Sequence, residues 1–456
     1  MELINRSKSV LILTFIVLFL INTFAPSLLL NNILAVIVVL VMAVNLPFLK
    51  GSSRYISICL LIISLVIMLS IDAGISEWRA GLNKNVGIVS LLVTVPMLSF
   101  PLYYDNFQKA IVQISTKYLN TSFNFYSVTS LLSYSLGIFL NVASMNITYH
   151  LLEESKERYP ISIFSSALTR GFNSCSIWSP NFVGVAVILE YLNLPWIKMA
   201  PIGFLLSLTT LLFSIKYEQL IERVKPKSSE KTSYQGWKNS LVTEDRKLLF
   251  RLASIGILLI LLIIITEILT GLSVLVIVPI IAFLAPFMLA LLWGKGHVYK
   301  HCFNNYLWGK LPKMENEIVL FLTAGLFGQA VNSTNVGSYA VNFINSLNIQ
   351  HGSILITILM LIIVLLSLLG IHPVVTTSTI ALTLPISQVP LVPIQYTLTL
   401  LTAYAVAALL SPISGTVLVA AGIFKENPFN IGIGWNWKYS CSLMVLYIVL
   451  LSMIPI

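Results

Sequence analysis

Oxygen-bearing side chains gather at matched places in an otherwise apolar chain. In IWSPNFVGVAVIL (residues 177–189), Ser179 and Asn181 flank a proline, with Ser176 just ahead. In LLSPISGTVLVAAGIF (residues 409–424), Ser411, Ser414 and Thr416 surround another, so that Ser179-Pro180 aligns with Ser411-Pro412. A polar knot precedes each break: Asn141, Ser144 and Asn146 in the first half, and Thr376, Thr377, Ser378 and Thr379 behind His372-Pro373 in the second. Proline removes a backbone donor and interrupts a helix, freeing carbonyls and amides that lipid does not satisfy. Neutral hydroxyl, amide and carbonyl oxygens suit Na+, while the N-termini of half-helices attract an anion. Asn141, Ser144, Ser179, Thr377 and Ser411 are the candidate Na+ ligands. The whole set, with Arg170 and His372, makes the candidate substrate contacts. A lone Ser or Thr in a membrane helix usually bonds the preceding turn or glues two helices. The coincidence of proline and polar groups in both halves is what points to a site.

The elements that must position these residues are membrane helices. Hydrophobic residues make up 57% of the 456 and charged residues 10%, against about 25% charged in a soluble protein. Mean hydropathy is +0.91. Most of the chain falls into apolar stretches of about 18 to 25 residues, the length that crosses the hydrocarbon. The net charge of +10 does not mark a nucleic-acid binder: the basic residues of 216–251 are mixed with Glu218, Glu222, Glu230, Glu244 and Asp245, without aromatic interleaving, as in an inner loop. Cys59, Cys175, Cys302 and Cys441 are scattered and imply neither a disulfide framework nor a metal cluster. The first apolar run reads as a retained membrane helix rather than a cleaved signal.

The expected fold class is an all-α polytopic membrane protein with about eleven transmembrane helices and two re-entrant hairpins in an inverted repeat. Residues 1–85 form N-terminal scaffold helices. Residues 86–216 form a first repeat, with a hairpin at 125–152 and a broken helix at 160–193; an amphipathic segment at 105–120 rests on the membrane surface. A loop at 217–247 and linking scaffold helices at 248–316 follow. The second repeat, 317–456, has a surface segment at 336–347, a hairpin at 353–388 and a broken helix at 391–424. Thr94 with Thr323, Gly137 with Gly370, and Ser179 with Ser411 keep nearly constant spacing. Five crossings between the two starts invert the second copy. With the N-terminus cytoplasmic, every one of the 27 Lys and Arg residues except Arg79, Lys84, Arg170 and Lys198 falls on the inner side, as the positive-inside rule asks.

Charged groups within apolar segments carry a functional expectation by default. Arg170, in SSALTRGFNSC, either draws an anionic substrate or snorkels to the inner interface. Asp72, Glu190 and Glu267 read as interfacial. His372 is a pH-sensitive or substrate-contacting group, or a satisfied structural histidine. His297, His301 and Cys302 have helical metal spacing beside lysines in an inner loop.

The stretch from about residue 87 to 424 resembles the ion transporter superfamily, of which the divalent anion/sodium symporters are a branch. LFLTAGLFGQAVNSTNVGSYAVNFI resembles that superfamily's helix before the second hairpin, GIHPVVTTSTIALTLP its hairpin tip, and LLSPISGTVLVAAGIF its unwound helix. The resemblance implies eleven helices with two re-entrant hairpins, a homodimer and an elevator motion. Ser-Asn-Thr tips, which bind Na+ and carboxylate in the dicarboxylate branch, are here NVASMN and TTST. The residues and the resemblance together predict a Na+-coupled secondary transporter of a small carboxylate-type anion, in the lipid bilayer, without nucleic acid and without a cofactor beyond Na+ as coupling ion. A cation/proton antiporter or an anion exporter of the same fold is the alternative. No HExxH, P-loop or Ser/His pairing supports an enzyme.

Overall fold

The computed structural model describes residues 2–105, 107–116, 119, 121–153, 158–224, 243–334 and 351–454. Every described element is helical, which is what lipid requires of a chain that must satisfy its own backbone. Among the described residues, nine helical stretches are long and apolar enough to cross a bilayer. The expectation of about eleven differs for a physical reason. The first broken helix divides into pieces of 15 and 9 residues, each too short alone. The helices Glu315–Asn332 and Trp435–Ser452 are long enough but begin with polar turns.

The first part of the chain runs through α1 (Glu2–Phe24), α2 (Leu28–Asn45), α3 (Gly51–Ser70), α4 (Ile75–Asn83) and α5 (Val86–Thr94). A tighter 3-10 stretch, Val95–Tyr103, continues α5 where Pro96 and Pro101 remove donors. It packs with α5 against α13 (Val274–Leu292), while α12 (Thr243–Thr270) packs against α6 (Phe107–Thr116). α3 and α4 pack on α15 (Glu315–Asn332). The expected surface helix at 105–120 corresponds to α6; the one at 336–347 lies outside the described residues. α14 (Gly296–Asn305) links α13 to α15, and within it His301 bonds Asn305 at 2.9 Å.

The remaining elements come in two matched sets. The first is α7 (Ser122–Leu140), α8 (Ala143–Leu152), α9 (Ile161–Cys175), α10 (Val183–Tyr191) and α11 (Trp196–Val224). The second is α16 (Gly352–Leu368), α17 (Pro373–Thr383), α18 (Pro393–Leu410), α19 (Gly415–Phe424) and α20 (Trp435–Ser452). In each set the two hairpin arms pack on the helix that leads into the break, and the final helix packs on both the first arm and that same helix. The sets also exchange partners: α10 packs on α17 and α18, and α19 packs on α8 and α9. Each half-helix leaving a break therefore lies against the other set's hairpin.

Close approach within the first set depends on small residues. A Cβ on Gly171 of α9 would stand 2.3 Å from the Ser130 carbonyl oxygen of α7, so only glycine lets the arm and the helix meet there. Glu267, expected at an interface, is instead buried. Its carboxylate accepts from the amides of Trp196 at 2.8 Å and Ile197 at 3.0 Å. It caps the N-terminus of α11 from another helix, satisfying donors that the helix leaves open.

Candidate functional site at the two helix breaks

Each break is tied to its hairpin by the same bond. In the first set, α7 ends at Asn141, and the orphan carbonyl of Ile138 in its last turn accepts from Ser179 Oγ at 2.8 Å and Asn181 Nδ2 at 2.8 Å. In the second, the carbonyl of Ser367 accepts from Ser411 Oγ at 2.8 Å. A helix C-terminus leaves carbonyls without partners, and the serine before each proline supplies one. Donation does not use up the hydroxyl's lone pairs, so Ser179 and Ser411 remain able to face a cation.

The two sets touch at equivalent positions as well. Asn173 Nδ2 of α9 donates to the Ala405 carbonyl of α18 at 2.8 Å. Each of these residues stands six before the serine of its own break.

The first tip is held in an unusual conformation. Asn141 has φ 50° and ψ −138°, a region that favours glycine. Two side-chain bonds hold it there: its Nδ2 donates to the Asn181 carbonyl at 2.8 Å, and its Oδ1 accepts from the Val142 amide at 2.7 Å. The corresponding residue in the second hairpin is Gly370, with φ 102°. In conformation, then, the residue of the first hairpin that resembles Gly370 is an asparagine, not the glycine that matches it by spacing. Gly137 instead lies one turn earlier, where it meets Cys175 of α9.

The remaining candidates sort by what their oxygens do. Ser144 Oγ and Asn181 Oδ1 are buried with no hydrogen-bond partner in the first set, as is Asn173 Oδ1. In the second set the same holds for Thr376 Oγ1 and Ser367 Oγ. Thr377 Oγ1 donates to the Pro373 carbonyl, and Ser378 Oγ to the Val375 carbonyl at 3.0 Å, so both bond back along α17. Ser414 Oγ donates to Ala408 O at 2.5 Å and accepts from the Val417 amide at 3.2 Å, capping α19. Thr416 is buried beside it and Thr379 is half-buried on α17. His372 caps α17, its Nδ1 accepting from the Val374 amide at 3.3 Å. Asn146 is exposed on α8, turned away from the buried Ser144, and does not join the cluster.

Arg170 does not snorkel to the interface. It is 3% exposed, and its guanidinium is held by four groups. Nε donates to Asn436 Oδ1 at 2.7 Å, Nη2 to the Trp435 carbonyl at 3.0 Å, and Nη1 to Tyr126 OH and Glu218 Oε2, both at 3.3 Å. The Tyr439 ring lies 4.3 Å away. A buried charge needs such partners, and here they join α7, α9, α11 and α20. Sequence reasoning missed Asn173 and Asn436, and gave Glu218 to the inner loop and Glu267 to an interface, because each partner lies far along the chain and no local motif marks it.

No protein-family model matches the sequence, and no curated protein matches it. Solved structures do share the fold. The Alcanivorax borkumensis YdaH transporter, of which an unusual topology has been described, aligns with a TM-score of 0.54 and 12% identity over 88% of this chain and 96% of its own. Neisseria gonorrhoeae MtrF, described as illuminating a class of antimetabolite efflux pumps, aligns with a TM-score of 0.54 and 15% identity over 89% of this chain and 95% of its own. Similarity at this level concerns architecture: the chain is an all-helical, multi-pass membrane protein folded as these transporters are.

Proposed function

We propose that the chain is a secondary active transporter of a small carboxylate-type anion, coupled to Na+ and moving its substrate by an elevator motion. The observation that carries this reading is the convergence at the two breaks. Each is bound to a hairpin tip through a serine hydroxyl, and each half-helix beyond a break packs on the other set's hairpin. Irregular backbone at membrane depth is tolerated where it lines a cavity, and interrupted helices in paired repeats form substrate sites in secondary transporters. Ser144 Oγ and Asn181 Oδ1, buried and unpartnered, are the oxygens best suited to a dehydrated Na+. The matched contacts of the two sets support an inverted repeat, and the ion transporter superfamily is the family this reading favours. Homodimerisation and a cytoplasmic N-terminus belong to the same proposal.

Arg170 is not assigned to the substrate, since four of its five donors are held by protein groups. The anion is drawn instead by the N-termini of α8 and α10, neither of which has a side-chain cap. Export is the second reading, favoured by the likeness of fold to a pump described as an antimetabolite exporter.

Purified protein in proteoliposomes tests this, with imposed Na+ or H+ gradients and a panel of organic anions. Uptake or release driven by Na+, lost in Ser144→Ala with Asn181→Ala while both variants stay folded, is the expected result. Flux driven by a proton gradient alone, or unchanged in those variants, overturns it.

A further inference from the structure

We propose that a second binding site, remote from the breaks, receives an aromatic carboxylate. A cavity of about 560 Å³ lies where the far ends of α8, α9 and α19 meet, within the range of small-molecule pockets. Tyr149, Phe164 and Phe424 line it, together with Ile161, Ile423, Glu153 and Lys425. The Tyr149 and Phe164 rings stack at 5.4 Å, and Phe424 meets them edge-on at 5.3 and 5.2 Å. Three interlocked rings make a rigid apolar wall that takes a planar group without losing side-chain freedom on binding.

Charge at the rim selects the other end of the ligand. Glu153 is paired with His150 at 3.2 Å. Lys425, also in the lining, is exposed and ends α19 with φ 56°, a left-handed conformation. Helices commonly end on such a residue, but as glycine or asparagine, and a lysine there holds a cation at the mouth against its backbone preference. An anion at the mouth and a ring inside fit both features. A neutral apolar ligand would leave the ammonium without purpose, and a compact dicarboxylate would leave the rings unused.

The role of this site rests on the transport reading above: α8 and α19 each run from a break region to this cavity, so a ligand held here waits at the end of the two elements that flank the candidate centre. The side concerned is the one that the lysine distribution assigns to the inside.

Binding of 3-phenylpropionate, propionate and 3-phenyl-1-propanol to the full-length protein in nanodiscs of zwitterionic lipid tests the site without Na+ or any gradient. 3-Phenylpropionate is expected to bind at least tenfold tighter than either analogue. Lys425→Gly removes the charge and relaxes the backbone, so it is expected to fold normally and weaken 3-phenylpropionate at least fivefold, while Lys425→Arg retains it. Equal binding of the acid and the alcohol, or no change in Lys425→Gly, overturns the proposal. So does displacement of 3-phenylpropionate by phosphatidylglycerol added to the nanodiscs, which would make the cavity a lipid site. Ser144→Ala with Asn181→Ala abolishes flux under the transport reading but leaves this binding intact. Failure of coupled transport with retained binding removes the former reading alone, and coupled transport without aryl-selective binding removes this one alone.

Discussion

The two halves of the molecule share a plan and differ in how they finish it. Both tie a hairpin to a break through a serine hydroxyl, and both send a half-helix onto the other's hairpin. The second half then closes its open ends: His372 caps α17 and Ser414 caps α19. The first half does not. Neither α8 nor α10 has a side-chain cap, while buried oxygens without partners occur in both halves: Ser144 Oγ and Asn181 Oδ1 in the first, Thr376 Oγ1 and Ser367 Oγ in the second. A buried polar atom left open is costly unless something fills it. The comparison teaches that a shared plan need not give equal ends: the half-helices α8 and α10 start uncapped, while α17 and α19 start capped.

The largest test of that difference is Arg170. Its counterpart by position in the second half is Thr402, whose hydroxyl bonds the Leu398 carbonyl of its own helix at 2.7 Å. Arg170→Met leaves Asn436, Tyr126 and the half-buried Glu218 without their shared donor and is expected to destabilise by about 3 kcal/mol. Thr402→Val is expected to cost under about 1 kcal/mol. Thermal melting of both variants in detergent checks this, and the double variant Arg170→Met with Glu218→Met should recover part of the loss. Equal shifts for Arg170→Met and Thr402→Val would show that the clamp is not what holds the first half together.

Next in size is the exchange at the tips. Placing asparagine at Gly370, where φ is 102°, is expected to cost about 1–3 kcal/mol, because the second tip lacks the pair of bonds that hold Asn141. If Gly370→Asn melts like the parent, the two tips are more alike than their conformations indicate. The serine clips come third. Ser411→Ala leaves Ser367 O to backbone amides alone, that of Gly370 at 3.3 Å, whereas Ser179→Ala leaves Ile138 O still bonded to Asn181 at 2.8 Å. A loss of about 1 kcal/mol is expected for Ser411→Ala and about half of that for Ser179→Ala. The reverse order in melting temperature would break the comparison.

What could be read in the sequence was whatever is local. Ser-Pro twice in apolar runs gave both breaks, since proline acts on its own turn. Alternation of apolar runs gave most helices. Spacing could not show the conformation of the first tip, because Asn141 adopts positive φ with the help of a bond to Asn181, forty residues away. Arg170 looked free for the same reason: Glu218, Trp435 and Asn436 reach it only in three dimensions. The caps on α17 and α19 are short-range, within HPV and SGTV, yet their absence from α8 and α10 carries meaning only when the contacts of the two sets are compared.

The smallest expected effect on stability belongs to Asn141→Gly, and it separates strain from function most cleanly. Glycine accepts φ 50° and ψ −138° without the penalty that asparagine bears, a relief of about 1–3 kcal/mol. The same change removes the bonds to the Asn181 carbonyl and the Val142 amide, worth about 0.5–1.5 kcal/mol each. It also raises the entropy of the unfolded chain, a loss of about 0.4–1 kcal/mol. These nearly cancel, so the melting temperature should stay close to that of the parent. Transport should not, because Asn141 also fixes the Asn181 backbone and with it the unpartnered amide oxygen assigned to Na+. A rise of about tenfold in the half-saturating Na+ concentration corresponds to about 1.4 kcal/mol of lost ion binding. An Asn141→Gly variant that melts and transports as the parent does would leave the strained tip without a purpose. The first half would then be no more functional than the second.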